Sequence, residues 1–321
     1  MAEPFVIGSH EIGRGERREL EIPVARLFSG DWLSLQVVVI RGVDAGPTVW
    51  LDAAIHGDEL NGMEIIRRVL RTLMDRDLRG TLIAVPVVNV FGFVQENRYL
   101  PDRRDLNRSF PGSVRGSLSA RLAHLFMSEV VRRSDFGIDL HTGSMHRTNL
   151  PQVRANLRNP EVRRMAEAFA APLMYQARGI KGSLRSAAGR LGIPMIVYEG
   201  GEPMRFNPEA IDAGVEGVLR VLHLVGLLPG AGQPLPPRPS FEAEGSKWVR
   251  ASRSGIFNQK VSLGERVGRG QRIGSIGGLF PGASHPVRAT IDGLVIGHTN
   301  KPLVHQGDAL VHIGSGIQRT S

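Results

Sequence analysis

Short apolar runs alternate with longer helical patterns over residues 32–228, and this alternation constrains the fold more than any other feature of the sequence. Four of the five runs are almost entirely apolar, as strands covered on both faces must be. The apolar runs lie at 32–41, 48–55, 81–88, 136–140 and 194–198. The helical patterns lie at 60–77, 118–133, 160–171, 184–191 and 208–228. Strands separated by such helices predict an α/β fold with a parallel or mixed sheet flanked by helices.

A Pro/Gly-rich stretch, PGAGQPLPPRP at 229–239, separates this region from one of short strands, frequent Gly and no convincing helix. The pattern Val-x-x-Gly-x-x-Ile that begins at Val267 recurs, with Leu for Ile, from Val304. Two similar β units predict a small all-β module, which resembles the biotinyl/lipoyl-like barrel-sandwich hybrid. We predict a catalytic domain at 1–228, a linker at 229–240 and a capping module at 241–321. A carrier role is the less favoured alternative, because no Lys lies at a central hairpin tip.

The composition excludes several classes of site and partner. The 321 residues contain no Cys, so any metal must be held by His and carboxylate groups. The longest apolar stretch, residues 81–94, is shorter than the roughly 20 residues that a membrane span needs. The first 20 residues lack the apolar region of a signal peptide. We therefore expect a cytoplasmic protein with no membrane partner.

Positive charge is concentrated at residues 147–190, in a chain whose formal net charge is +9. Phe169 and Tyr175 are the only aromatic residues of this segment, so it lacks the stacking surfaces typical of proteins that bind single-stranded nucleic acid. We expect the charge to attract a small anionic substrate rather than a nucleic acid. A solvated Arg-rich face without a role is the alternative.

The strongest candidate site begins with HGDE at 56–59, directly after the apolar run 48–55. His56 and Glu59 are three residues apart, so one turn can bring both side chains to the same cation. His141 ends another apolar strand and supplies a third ligand. Two His and one Glu form an established ligand set for catalytic zinc. Asp139 lies on the same side of its strand as His141, where it can accept the other imidazole N–H.

Two further polar clusters point toward this site. The loop at 97–112 is long and rich in Arg, and loops of this length are usually functional. Its Arg98, Asn107 and Arg108 suit a clamp for an anionic substrate, with a solvated basic loop as the alternative. Glu199 emerges from the apolar run 194–198 beside two glycines. A carboxylate there can take a proton from a zinc-bound water and return it to a leaving nitrogen.

In order and spacing, these motifs resemble the aspartoacylase/succinylglutamate desuccinylase family, a branch of the zinc carboxypeptidase-like fold. The shared stretches are HGDE at 56–59, NRYLPDRRDLNRSFPG at 97–112, DLHTGS at 139–144 and YEGG at 198–201. The resemblance implies one Zn²⁺ per chain, bound by His56, Glu59 and His141. It implies the following further roles: Glu199 as general base and acid, Arg98 as the group that polarises the scissile carbonyl, and Asn107 with Arg108 as the holders of the substrate carboxylate.

The expected function is that of a zinc-dependent deacylase, which cleaves the amide bond of a small N-acyl amino acid or a related carboxylate. The alternatives are a metallocarboxypeptidase acting on short peptides and a non-catalytic binding protein. His298, His305 and His312 recur every seven residues, which is not a strand period. We therefore expect them to be incidental to the site, or to lie at a subunit contact of a homo-oligomer.

Overall fold

The computed structural model describes residues 4–230, 240–280 and 282–320, and a 14-stranded mixed sheet runs through it. The strands before the predicted linker are β1 (Phe5–Ile7), β2 (His10–Ile12), β3 (Arg17–Arg26), β4 (Trp32–Arg41), β5 (Asp44–Ala53), β6 (Arg79–Val85), β7 (Phe136–His141), β8 (Arg147–Ala155), β9 (Leu173–Gln176) and β10 (Met195–Gly201). The α-helices are α1 (Asn61–Thr72), α2 (Val90–Val94), α3 (Leu118–Glu129), α4 (Pro160–Phe169), α5 (Leu184–Arg190) and α6 (Pro208–Leu224). Two short 3-10 helices span Leu106–Arg108 and Val131–Arg133.

The strands after the predicted linker are all short. They are β11 (Phe241–Ala243), β12 (Gly245–Arg250), β13 (Gly255–Gln259), β14 (Arg266–Val267), β15 (Arg272–Gly277), β16 (His285–Arg288), β17 (Gly293–Thr299), β18 (Leu303–Val304), β19 (Ala309–Ser315) and β20 (Gln318–Arg319). Residues 231–239, most of the predicted linker at 229–240, lie outside the described residues. The division of the chain into two domains therefore stays a prediction.

The centre of the large sheet is parallel and its flanks are antiparallel. Its main path runs β12-β19-β17-β8-β10-β7-β5-β6-β4-β3. The neighbours β6, β5, β7 and β10 are parallel, whereas β4 and β8 run against β6 and β10 respectively. The predicted mixed sheet flanked by helices is thus confirmed. Because parallel strands share one carboxyl edge, the residues that follow β5, β7 and β10 meet at that edge.

Two apolar layers cover the two faces of the sheet. Along β5, Val49 and Leu51 pack with α1, α4 and α6, while Trp50 between them packs with α3 and α5 on the other face. This alternation follows from the two-residue period of a strand. All three side chains are fully buried, so both faces of the central strand are apolar, as the sequence predicts.

The secondary structure agrees with the sequence in most places and differs in two that matter. The predicted strand 32–41 coincides with β4, and the predicted helices at 160–171 and 184–191 differ from α4 and α5 by one or two residues. Helix α1 ends at Thr72 rather than at residue 77, because the chain turns back there so that Leu78 can pack in the core. Strand β8, which lies beside β10 in the sheet, was not predicted from the sequence.

The C-terminal strands form two sheets around their own apolar core. One layer is the four-stranded sheet β16-β15-β13-β18, and the other consists of strands of the large sheet. The two repeats occupy related places, because Val267 lies in β14 against β17 and Val304 lies in β18 against β13. The predicted small all-β unit is therefore present. Strand β17 also pairs with β8, so the large sheet continues without a break into this unit.

No helix of the described residues has both the length and the apolar character needed to cross a membrane.

Candidate active site

The site lies at the carboxyl edge of the parallel strands. Strand β5 ends at Ala53, and the loop that follows it carries His56 and Glu59. His141 is the last residue of β7, and Glu199 of β10 is its partner in the register of the two strands. These side chains therefore converge because three neighbouring strands point the same way.

Glu59 lies between the two histidines. The Nδ1 atom of His56 is 2.8 Å from Glu59 Oε1, and the Nδ1 atom of His141 is 2.8 Å from Glu59 Oε2. One ligand atom from each of the three residues lies within 4.8 Å of the others, and all three side chains are buried. Two imidazole nitrogens and a carboxylate oxygen are the donors that zinc prefers when thiolates are absent. The residues therefore fit the implied metal by chemistry and by spacing.

A second carboxylate lies beside each histidine on the side away from Glu59. His141 Nε2 is 2.9 Å from Asp139 Oδ1, and His56 Nε2 is 3.3 Å from Asp105 Oδ1. Such partners fix the ring orientation and raise the basicity of metal-binding histidines. Asp139 was expected at this position from its place in the strand, whereas Asp105, which begins the DLNR stretch of the long loop, was not.

Glu59 is held in the charged form that a metal ligand needs. Burial alone would raise its pKa, but the neighbouring His56 and His141 hold the pKa of Glu59 well below its usual range. The Thr142 backbone N–H also donates to Glu59 Oε2 at 3.0 Å. Metal ions bind the deprotonated carboxylate, so this environment favours binding.

Gly57 permits the close packing that places this motif. A Cβ atom at Gly57 would collide with the backbone of Gly92 and Phe93 in α2. Only glycine lets the loop after β5 approach α2 so closely. Gly57 therefore contributes to the site by allowing the loop to place His56 and Glu59, and takes no direct part in the chemistry.

Glu199 is fixed at both carboxylate oxygens by residues of β8. Arg154 Nη1 lies 2.8 Å from Glu199 Oε1, and Asn149 Nδ2 donates to Glu199 Oε2 at 2.6 Å. Burial raises the pKa of Glu199, while the Arg154 guanidinium opposes that rise. From sequence, Arg154 was expected only as part of the basic segment 147–190. The alternation of polar Gln152 and Arg154 with apolar neighbours is the strand signal that was available.

The three predicted residues of the long loop all line the cavity next to the triad, but they are held differently. Arg98 approaches Glu59 Oε1 at 3.4 Å and Asp105 Oδ2 at 2.9 Å. The Asn107 side-chain oxygen accepts from the Leu184 backbone N–H at 2.9 Å, which leaves its amide nitrogen available. Arg108 is exposed, and its Nη1 donates to the Asn107 carbonyl oxygen at 2.6 Å.

The cavity has a volume of about 250 Å³, and the C-terminal unit closes part of it. Trp248 of β12 and His312 of β19 belong to its wall, together with the triad and Glu199. The expectation that His312 is incidental is therefore wrong. Strand pairing brings it to the site across the continuous sheet, and no local sequence signal reports such a long-range contact.

Comparisons with known proteins agree with one another. Residues 45–225 match the family model of the succinylglutamate desuccinylase/aspartoacylase catalytic domain. The chain is 29% identical to the N-alpha-acetyl-L-2,4-diaminobutyric acid deacetylase of Halomonas elongata, over 93% of this chain and 91% of that protein. It is similar to the crystal structure of a succinylglutamate desuccinylase/aspartoacylase from Rhodobacter sphaeroides, with a TM-score of 0.83, 28% identity and coverage of 96% and 97%. It is also similar to the product-bound ectoine utilization protein EutE (DoeB) of Ruegeria pomeroyi, with a TM-score of 0.85, 25% identity and coverage of 98% and 100%.

Proposed function

This chain belongs to the succinylglutamate desuccinylase/aspartoacylase family, and on that premise we propose that it is a zinc-dependent amidohydrolase. Its substrate is a small N-acyl amino acid or a related carboxylate, from which it removes the acyl group. Two of the relatives named above are deacylases by name, and one of these acts on an N-acetylated amino acid.

One observation carries the proposal. The carboxylate of Glu199 and the ligand group of His56, Glu59 and His141 line the same small cavity. A metal held by two histidines and one glutamate keeps a coordination position for water or substrate. A separate buried carboxylate beside such a position is the arrangement that general base catalysis requires.

In the proposed hydrolysis, Glu199 transfers the protons, and the metal activates the water. When bound, zinc supplies a Lewis acid and lowers the pKa of water to about 7. Glu199 accepts the proton of the attacking water and later donates it to the nitrogen of the leaving amine. Because Arg154 and Asn149 fix both of its oxygens, Glu199 makes these transfers from one position.

Arg98 and the loop residues bind the substrate. The Arg98 guanidinium, held by Asp105, faces the cavity and stabilises the negative charge that develops on the carbonyl oxygen. A preorganised donor in this role contributes about 3–4 kcal/mol to transition-state stabilisation. The Asn107 amide nitrogen and the Arg108 guanidinium bind the carboxylate of the substrate.

The shape of the cavity favours a deacylase over a carboxypeptidase that acts on peptides. Trp248 and His312 of the C-terminal unit form part of the cavity wall and limit the space beside Glu199. A cavity of about 250 Å³ is of a size that suits a small amide.

The decisive experiment is Glu199→Gln in the zinc-loaded protein, assayed by release of primary amine from a panel of N-acyl amino acids. We expect kcat to fall by about 100-fold or more, since general base catalysis contributes 10²–10⁴-fold, while bound zinc stays at one ion per chain. Glu209→Gln, at the exposed start of α6, is the matched control. Near-normal turnover in the Glu199 variant would contradict the proposed role, and faster cleavage of short peptides than of N-acyl amino acids would favour the carboxypeptidase.

A further inference from the structure

A second cavity, which we call the outer cavity, lies next to the active site and has no part in the reaction described above. Its volume is about 510 Å³. It is lined by residues that follow β8, by the end of β9 with the segment after it, and by one face of α5. All of these residues belong to the basic segment 147–190, and no acidic residue is among the described residues of the wall. The arginines of the wall are Arg158, Arg178, Arg185 and Arg190.

Helix α5 is anchored on one side and faces the outer cavity on the other. Its residues that pack in the core are Leu184, Ala187 and Ala188. Arg185, Gly189 and Arg190 line the outer cavity. A Cβ atom at Gly189 would meet nothing within 4 Å, so this part of the cavity is open. The helix therefore holds two arginines at the cavity from a backbone that the core fixes in place.

Three of the arginines have no counter-charge in the protein. Across residues 4–230, 240–280 and 282–320, the exposed side chains of Arg158, Arg178 and Arg190 make no hydrogen bond and no ion pair. In the same basic segment, by contrast, Arg163 donates two hydrogen bonds to the carboxylate of Glu242. Like charges around a concave surface repel one another, and such a surface concentrates anions. The wall of the outer cavity therefore favours an anionic ligand.

Arg185 lies between the outer cavity and the active site, because it lines both. Its Nη2 atom donates to the Arg178 carbonyl oxygen at 2.9 Å, whereas its Nη1 atom is buried and has no hydrogen-bond partner among the described residues. Burial, to which the nearby Arg154 adds, lowers the pKa of Arg185. A buried cation without an ion pair is costly. An anion in the outer cavity would reduce that cost.

The amount of charge indicates which anion fits. A phosphate monoester carries about −1.5 to −2 charges at pH 7, so two phosphate groups balance the four arginines of the wall. Two carboxylates would balance only half of that charge. Guanidinium groups also bind phosphate oxygens in pairs. Small-molecule pockets have volumes of about 300–1,000 Å³, and the outer cavity lies in this range. Its concave shape favours a small molecule over a nucleic-acid strand.

We propose that the outer cavity is a binding site for a small organic bisphosphate, which Arg158, Arg178 and Arg190 contact. Arg185 connects this site to the active site. The bound ligand neutralises part of the positive charge that Arg185 contributes to the active site, so it weakens the binding of an anionic substrate there. The same coupling weakens the binding of the bisphosphate when substrate is bound. The site itself does not depend on the proposed function, whereas its effect on substrate binding does.

Isothermal titration calorimetry of the zinc-loaded protein tests the site, with fructose 1,6-bisphosphate as the probe. We expect one bisphosphate per chain, and at least tenfold weaker binding of fructose 6-phosphate. Arg158→Gln and Arg190→Gln are each expected to raise the Kd about tenfold, the worth of a hydrogen bond between charged groups. Arg132→Gln, which removes an exposed arginine outside the outer cavity, is the matched control and is expected to leave the Kd unchanged.

Gly189→Leu blocks the outer cavity without removing a charge. The protein is expected to stay folded, since leucine is favoured over glycine in a helix and the new side chain enters open space. We expect this variant also to bind the probe at least tenfold more weakly. A Kd that all three variants leave unchanged, or no binding by the wild type, would overturn the site. Tighter binding of a single-stranded oligonucleotide than of the bisphosphate would overturn its assignment to a small molecule.

A kinetic measurement tests the coupling through Arg185. At saturating fructose 1,6-bisphosphate, we expect KM for the best substrate of the N-acyl amino acid panel to rise severalfold in the wild type, with kcat little changed. Gly189→Leu is expected to abolish this rise at the same concentration. An unchanged KM in the wild type would reject the coupling. Bisphosphate binding that depends on Arg158 and Arg190, without turnover of any N-acyl amino acid, would keep the site and reject the deacylase.

Discussion

Replacing Arg154 with Met tests whether the environment of Glu199 is built for base catalysis. In the structure, the guanidinium lies 2.8 Å from Glu199 Oε1, and the Glu199 side chain is only 14% exposed. The variant leaves this carboxylate with the Asn149 amide as its remaining partner. The loss of a hydrogen bond between charged groups is worth about 1.5–3 kcal/mol, and each 1.4 kcal/mol is a tenfold change in an equilibrium constant.

The direction of the pH effect follows from the structure. Burial already raises the pKa of Glu199, and Arg154 opposes that rise, so Arg154→Met raises the pKa further. Glu199 accepts a proton only in its ionised form, which exists above its pKa. The acid limb of the profile of kcat/KM against pH therefore moves to higher pH. We expect activity at pH 7 to fall by about 10- to 100-fold and to recover in part at higher pH.

The assay compares the pH profiles of the wild type, Arg154→Met and Arg154→Lys. The lysine variant keeps the charge and is expected to keep the acid limb near its original position. Zinc content and thermal unfolding, measured in parallel, identify any general loss of structure. An acid limb that does not move in Arg154→Met, in a folded and zinc-loaded protein, would refute the view that Arg154 controls the ionisation of Glu199.

Three further predictions concern other parts of the molecule. A Cβ atom at Gly297 would lie 2.9 Å from Asn149 Oδ1. Gly297→Ala is therefore expected to lower kcat about tenfold with zinc retained. Gly277→Ala is the control and is expected to keep wild-type kcat, because a Cβ atom there meets nothing within 4 Å. Zinc at 100 times its Kd is expected to add about 2.7 kcal/mol to the free energy of unfolding. The measurement is a rise in Tm, which a chelator should reverse and His141→Ala should abolish. The absence of such a rise in the wild type would speak against a metal site. Hydrogen bonds from two neighbouring arginines lower the pKa of Glu64 from 4.5 to about 2, so its contribution to stability is full above pH 4.5 and is lost as the pH falls toward 2. Urea unfolding of Glu64→Gln across that range is expected to show a weaker dependence on pH, and an unchanged slope would contradict this role.

The grouping of the three candidate metal ligands could be predicted from sequence because their signals are local. His56 and Glu59 share one short motif after an apolar strand, and His141 ends another apolar strand. Parallel strands bring such ends together by topology alone, so no side-chain packing has to be known. The same reasoning reaches Glu199, which lies beside His141 in the register of β10 and β7.

The residues around these groups were harder to predict, for physical reasons. Strand β8 carries Asn149 and Arg154 inside the sheet, where ion pairing and hydrogen bonding replace the apolar pattern that identifies a strand. Trp248 and His312 reach the cavity through pairing between strands far apart in the sequence. Their contact with the site depends on a register that composition and periodicity do not encode.

The C-terminal unit does not only cover the cavity. One of its strands, β17, pairs with the strand that carries His312 and with the strand that carries Asn149. Gly297 of β17 is the register partner of His312 on one side and of Asn149 on the other. His312 lines the cavity, and Asn149 donates a hydrogen bond to Glu199. Strand β17 therefore links His312 to Asn149 through its backbone pairing with both of their strands. The positions of His312 and of the Glu199 partner Asn149 thus depend on the same strand, so a change in β17 is expected to alter both.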